Sequence, residues 1–138
     1  MILANLDNLV RIGVLKLEPP DNAECGGLLR SAKDRLIDAN NTSLSFASRF
    51  DLAYNAAHAL ALAALRRQGY RSDKRYLVFH CLTHTTTLAP TQVRVFSLCH
   101  ERRNLAEYEG YMDVDAQLLN ELIAVTDALM NLVISQYP

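Results

Sequence analysis

The sequence lacks the features of a secreted or disordered protein. Its 138 residues contain no tryptophan and only three cysteines, at positions 25, 81 and 99, without a CxxC pair. This odd, widely spaced set fits reduced thiols better than a disulfide framework. Neither charge sign dominates, because 14 basic residues stand against 15 acidic ones and the net charge is -1. That balance argues against binding of nucleic acid through a broad basic surface, while a local basic site stays open.

Long apolar runs are also scarce. The N-terminus has no basic segment followed by a long apolar stretch, so no signal peptide is predicted. The longest run that leans apolar, residues 56–65, is interrupted by His58. It is well short of the roughly 20 residues that cross a bilayer. We therefore expect a cytoplasmic protein without a membrane partner.

The residues that are present predict one helical domain over residues 1–138. Half of them are hydrophobic, and five glycines and four prolines separate segments with apolar residues at helical spacing. We predict an all-α, antiparallel helical bundle of five to six helices with a four-helix-bundle core. Residues 1–20 would form an N-terminal helical extension packed on this bundle. The predicted helices are residues 3–17, 23–39, from Ser43 or Ser45 to 68, 74–87, 90–109 and 114–134.

Polar residues collect at one end of the predicted helix over residues 90–109. One face of this helix starts apolar and then carries His100, Arg103 and Glu107. The neighbouring stripe carries Asn104, Tyr108 and Tyr111. If other elements cover this face, burial would strengthen the electrostatic interactions between these side chains and shift their pKa values. A solvated helix end with an Arg103–Glu107 ion pair is the alternative explanation.

Three segments in this order resemble the HEPN (higher eukaryotes and prokaryotes nucleotide-binding) domain family. They are residues 48–57 (SRFDLAYNAA), 65–71 (LRRQGYR) and 103–108 (RNLAEY). The resemblance implies a compact helical bundle that is frequently a homodimer. It also implies a metal-independent ribonuclease, often a toxin paired with a nucleotidyltransferase-type antitoxin partner. The family motif is an arginine, a polar residue and a histidine after four to six intervening residues, with two copies facing each other across a dimer cleft.

This sequence departs from that motif at the histidine. Arg103 and Asn104 match, but Tyr108 stands where the histidine is expected, and no histidine follows His100. Tyrosine keeps its proton at neutral pH and is a poor general base. His100 lies on the same face as Arg103, one turn earlier, and could replace the missing group. We therefore predict a noncatalytic or weakly active module that binds RNA, a nucleotide or a protein partner in a cleft lined by Arg103, Asn104 and Tyr108.

Two alternatives remain at this point. One is an active metal-independent ribonuclease toxin that uses Arg103 with His100 or Tyr108. The other is a structural protein-interaction module. We expect Glu107, Tyr111, Arg49, Asn55 or His58 to line the binding cleft, although a hydrogen-bonded core histidine is the simpler explanation for His58.

Other clusters are weaker candidates. His80 and His84 have the spacing of a metal pair on one helix, but without further ligands we expect a surface or packing role, no metal and no cofactor. The basic residues around Gly69 could form a modest phosphate-attracting patch, although solvated charges at a helix end are the simpler explanation. These residues are Arg66, Arg67, Arg71, Lys74 and Arg75. Cys99 beside His100 is expected to be a buried, inert thiol.

Overall fold

The computed structural model describes residues 2–137, with side chains from Asn5 onwards. Within that range the chain forms a helical bundle with a single two-stranded ribbon, which confirms the all-α prediction. The elements are α1 (Ile2–Arg11), β1 (Lys16–Leu17), α2 (Asn22–Ala39), α3 (Phe46–Arg67), β2 (Tyr70–Arg71), α4 (Arg75–His80), α5 (Leu82–Thr85), α6 (Pro90–Glu109) and α7 (Ala116–Gln136).

α3 is the central helix. It packs against α2 and α7, and α6 in turn contacts α3, α4 and α7. Seven alanines of α3 are almost completely buried, which lets the neighbouring backbones approach closely. Ser45 caps the helix by accepting a hydrogen bond from the backbone N–H of Ser48 at 3.1 Å. Gly69, with a φ of +91°, reverses the chain just beyond its end.

Local signals set the ends of α2 and α6, and the structure confirms both predictions to within one residue. Asp21 Oδ1 accepts hydrogen bonds from the backbone N–H groups of Ala23 and Glu24 at the start of α2. Pro90 occupies the first turn of α6, where no intrahelical N–H is needed. Gly110 ends α6 with a φ of +84° and donates its N–H to the carbonyl of Ala106.

The first predicted helix was too long. α1 ends at Arg11, Gly13 adopts a φ of +84°, and Lys16–Leu17 pair antiparallel with Tyr70–Arg71. Only the first half of the predicted extension over residues 1–20 is therefore helical. The apolar spacing continued past Arg11 through Val14 and Leu17, but both side chains are exposed, and Leu15 is the one that the non-helical segment buries. The strand that pairs with Lys16–Leu17 lies more than 50 residues away in the chain, so no local sequence pattern predicts the pairing.

The segment over residues 74–87 is helical but broken into α4 and α5. Cys81 separates the two, and the buried side chains Val78, Phe79 and Leu82 anchor the segment in the core. The β-branched residues that weakened the helix prediction end the second piece, since Thr86 is extended. Helix type was predicted correctly, and the break was not.

One helix in the described part of the chain, α7, is long and apolar enough to cross a membrane by length and composition. In the bundle α7 buries Leu122, Leu129 and Val133. Its exposed face carries Asn120, Asp127 and Asn131.

Candidate functional site

Tyr54 of α3 stands at the centre of the candidate site. Its side chain is fully buried, stacked on Phe50 and tilted against Phe79. Burial raises the pKa of the phenol, so Tyr54 keeps its proton at neutral pH. Its hydroxyl lies 2.8 Å from Nδ1 of His100 on α6. The ring is thus held by the core, and its polar end faces α6.

Two arginines from different helices converge on the Tyr54 ring. The Cζ atom of Arg103 on α6 is 5.0 Å from the ring centroid, and that of Arg75 on α4 is 5.5 Å away. Both are within cation–π range. Two like charges beside one ring create a locally positive potential in a protein whose net charge is close to zero.

The two arginines have different partners. Arg103 lies between two carboxylates, with Nε 3.6 Å from Asp51 Oδ1 and Nη1 4.0 Å from Glu107 Oε1. Arg75 donates from Nη1 to the amide oxygen of Asn55 at 2.9 Å. Among the side chains from Asn5 to Tyr137, no carboxylate oxygen lies within 4.0 Å of the Arg75 guanidinium. Its charge is therefore not neutralised by a described carboxylate.

His100 links the phenol to an amide. Its Nδ1 faces the Tyr54 hydroxyl, and its Nε2 lies 3.2 Å from the side-chain nitrogen of Asn104. With the amide turned this way, Nε2 accepts, so Nδ1 carries the hydrogen and donates to Tyr54. Burial, together with the charges of Arg103 and Arg75, lowers the pKa of His100. The imidazole is neutral at pH 7.

His58 lies one turn after Tyr54 on α3, and its pKa responds to the same positive potential. Burial, followed by the charges of Arg75, His100 and Arg103, lowers its pKa to about 4. Its ring meets Phe79 edge-on at 6.0 Å. Within the described residues its ring makes no hydrogen bond, so the expected hydrogen-bonded core histidine is not what the structure contains. We call Tyr54, Arg75, His100, Arg103 and Asn104 the Tyr54 site.

Two clefts flank the Tyr54 site. Arg103 borders the first, of about 450 Å³, together with Asp51, Glu107 and Tyr111. His100 and Asn104 border the second, of about 370 Å³, on the other side of α6. Arg103 thus links the first cleft to the Tyr54 ring, which itself borders neither cleft.

Several of the residues predicted from the sequence lie away from these clefts. Tyr108 is 94% exposed and borders neither cleft, so the cleft predicted to be lined by Arg103, Asn104 and Tyr108 together is not formed. Arg49 donates from Nε to the carbonyl of Ala39 at 2.8 Å and ties α3 to the end of α2. In space, the phenol beside Arg103 is that of Tyr54.

Sequence reasoning missed the roles of Tyr54 and Arg75. Tyr54 lies within the 48–57 segment, and Arg75 had been grouped with the basic residues around Gly69. That basic patch does not form, because Arg66 is only 1% exposed and pairs with Glu18 and Glu24. Arg71 pairs with the same two carboxylates. Arg66 is therefore neither solvated nor free to attract phosphate.

The cysteines and the histidine pair show no sign of reactivity. Burial raises the pKa of Cys81 to about 11 and that of Cys99 to about 12, so both stay protonated thiols. His80 ends α4, and His84 lies on α5 beyond the break. Within residues 2–137 no group of three His, Cys, Asp or Glu side chains is arranged to hold a metal ion.

Comparison of the chain with protein-family models, with characterised proteins and with solved structures finds no match. The chemistry of the site must therefore be argued from its side chains. Two guanidinium groups, a neutral imidazole and an amide gathered around Tyr54 and His100 form an arrangement suited to an anion with several oxygen acceptors.

Proposed function

We propose that this protein is a HEPN-like module that binds the phosphate of an RNA strand or nucleotide at the Tyr54 site, without efficient cleavage. The observation that carries the proposal is the convergence of Arg75 and Arg103 on one buried ring, with Arg75 free of any described carboxylate. From the family resemblance we further propose that the protein is a homodimer and that it acts in a stress response or a toxin–antitoxin system. Its partner in such a system would be a nucleotidyltransferase-type antitoxin.

Phosphate suits this pair of cations. A guanidinium offers parallel N–H donors that match two phosphate oxygens, and such charge-assisted bonds are stronger than neutral ones. Arg103 is held loosely, since its two carboxylate contacts are 3.6 and 4.0 Å long. A bound phosphate can replace Glu107, while the Tyr54 ring keeps the arginine in place.

Aromatic side chains at the rim can hold a base. Tyr111 is 67% exposed and borders the first cleft. Single-stranded RNA is bound largely by stacking of unpaired bases on such rings, with phosphates held by basic residues nearby. The small basic site thus fits a short stretch of single strand better than a duplex, which would need a broad basic surface.

A metal-independent ribonuclease is the second candidate, and the position of His100 favours it. A neutral imidazole beside Arg103 could take the proton of a ribose 2′-hydroxyl, whose oxygen attacks the adjacent phosphorus and expels the 5′-oxygen, and the imidazolium could then return that proton to the departing oxygen. The products would be a cyclic phosphate and a free hydroxyl. Both ring nitrogens of His100 are already engaged, by Tyr54 and Asn104, and for this reason we favour binding over cleavage.

Substitution of either arginine tests the binding function. We expect Arg103→Gln and Arg75→Gln each to weaken binding of a short labelled single-stranded RNA by about tenfold, because each removes a charge-assisted hydrogen bond. Fluorescence anisotropy at about 50 mM salt with a chelator present measures the affinity, and a gel of the same samples reports cleavage. Arg30→Gln removes an exposed charge from α2 and serves as the matched control.

The outcomes separate the candidates. Tenfold losses for both variants, with the control within about twofold of the wild type and the RNA intact, support the proposal. An equal loss in all three variants, or no binding by the wild type, contradicts it. Cleavage that disappears in His100→Gln would replace it with the ribonuclease.

A further inference from the structure

The outer side of α6 carries a stripe that lies outside the Tyr54 site and the bundle core, although Glu101 also borders the second cleft. Its centre is Glu101 and Arg102, flanked by Leu98 and Leu105, which are 46% and 49% exposed. Arg94 and Glu109 follow at the two ends. At 3.6 residues per turn these six side chains lie within about 100° of the helix circumference. We call them the α6 face.

The α6 face read from its C-terminal end is complementary, in charge and in apolar character, to the same face read from its N-terminal end. Residues at equal distances on either side of the bond between residues 101 and 102 form three pairs. These are Glu101 with Arg102, Leu98 with Leu105, and Arg94 with Glu109. Acid is always matched with base, and leucine with leucine. A two-fold axis at this point therefore places complementary side chains in each layer of an antiparallel helix pair.

We infer that the α6 face docks a second copy of this chain, antiparallel, about a two-fold axis between residues 101 and 102. Two Glu101 and two Arg102 side chains would surround the axis with balanced charge. Leu98 of each copy would lie beside Leu105 of the other, and Arg94 beside Glu109. A parallel arrangement would instead set Arg94 against Arg94 and Glu109 against Glu109. This complementarity is what selects a second copy as the occupant.

The surroundings of the face fit a leucine from another helix. A groove of about 320 Å³ runs between α6 and α7, lined by Leu98, Leu105 and Leu118 with Glu101 and Arg102. The contact is limited to one helix about 30 Å long and the groove beside it. Such an area is at the lower end for specific interfaces, so a dissociation constant in the micromolar range is expected.

Each copy would keep its own ligand site. Arg103 points to the opposite side of α6, where its guanidinium lies over Tyr54. The inference depends on the proposed function only for the expectation of a homodimer, and it departs from the shared cleft that the family resemblance implies. A phosphate could bind to either copy without residues from the other.

Charge reversal and its rescue test the inference. Sedimentation velocity of the full chain over a range of concentrations should show a monomer–dimer equilibrium. Glu101→Arg or Arg102→Glu alone would place four like charges around the axis and weaken the dimer at least about tenfold. The double variant restores two positive and two negative charges and should return to within about threefold of the wild type. Asp34→Arg on α2 controls for charge reversal at an exposed position off the face.

The results are decisive in either direction. A wild-type monomer at high micromolar concentration, single variants that dimerise as well as the wild type, or a double variant as weak as the single ones would each overturn the inference. Circular dichroism of every variant checks that the fold is intact. A monomer that binds RNA through Arg103 overturns this inference and the homodimer expected from the family resemblance but leaves the phosphate site in place, whereas a rescued dimer without RNA affinity overturns only the proposed phosphate binding.

Discussion

Tyr54 combines two properties that are usually separate. The core buries it completely, yet its ring is in contact with the charged ends of two arginines. The negative face of an aromatic ring attracts cations, and this attraction offsets part of the repulsion between the two guanidinium groups. Burial first, and then the remaining positive potential, depresses the pKa of both nearby histidines. The same potential is what a phosphate would neutralise.

The depressed pKa of His58 makes stability depend on pH. The unfolded chain protonates this histidine near pH 6.5, whereas the folded chain resists protonation down to a pKa of about 4. Between these values the unfolded state binds more protons, so stability is complete above about pH 6.5 and falls as the pH drops towards 4. We expect the free energy of unfolding to fall by about 2 kcal/mol from pH 7 to pH 5.

Chemical denaturation at the two pH values measures this difference. His58→Gln should remove most of it, leaving the smaller slope that the lowered pKa of His100 contributes. A variant with the same pH dependence as the wild type would show that His58 is not the titrating group.

At the scale of elements, a cluster of ions around the buried side chain of Arg66 ties the β ribbon to the helices. Arg66 donates to the carboxylate of Glu24 at 2.6 Å and to the carbonyls of Glu18 and Pro19 at 2.9 and 2.8 Å. Arg71 reaches the carboxylates of Glu18 and Glu24 from the solvent side. One side chain at the end of α3 thus holds the segment between β1 and α2.

Removing Arg66 should therefore be costly. Arg66→Met leaves Glu24 and the two carbonyls without their buried donor, and we expect a loss of about 3 kcal/mol in the free energy of unfolding. Denaturant titration measures the loss. Arg30→Met, at an exposed position, should change stability by less than about 0.5 kcal/mol. Equal effects of the two substitutions would contradict the assigned role of Arg66.

Local chemistry explains which elements were predictable. Asp21, Ser45, Pro90 and Gly110 act on the residues next to them, so the ends of α2, α3 and α6 could be read from the sequence. The β1–β2 pairing depends on a segment more than 50 residues away and was missed. Arg66 was interpreted as a solvated charge at a helix end because the carboxylate that it pairs with, that of Glu24, lies 42 residues earlier in the chain.

At the scale of the whole molecule, helix packing explains why only part of the Tyr54 site could be predicted from the sequence. Arg103, His100 and Asn104 share one helix, and their spacing alone brought them together. Tyr54 and Arg75 come from α3 and α4, and only the packing of these helices against α6 sets them beside Arg103. The family resemblance rests on residues of α3 and α6, and it predicted that Tyr108 accompanies Arg103. In the structure the tyrosine next to Arg103 is Tyr54.

The bundle as a whole also limits where an anion can bind. Two of the basic residues around Gly69, Arg66 and Arg71, are tied to Glu18 and Glu24, so their positive charge is neutralised within the chain. The Tyr54 site is the one described place where two arginines approach a single aromatic ring. An anionic ligand should therefore distinguish clearly between these two groups of arginines.

The most direct test is an NMR titration of the protein with adenosine 5′-monophosphate, following the Nε–Hε signals of the arginine side chains. The account predicts saturable shifts for Arg75 and Arg103, together with the ring signals of His100, while the signals of Arg66 and Arg71 stay in place. Shifts confined to Arg66 and Arg71, or no saturable shift at Arg75 and Arg103, would contradict a phosphate site at Tyr54.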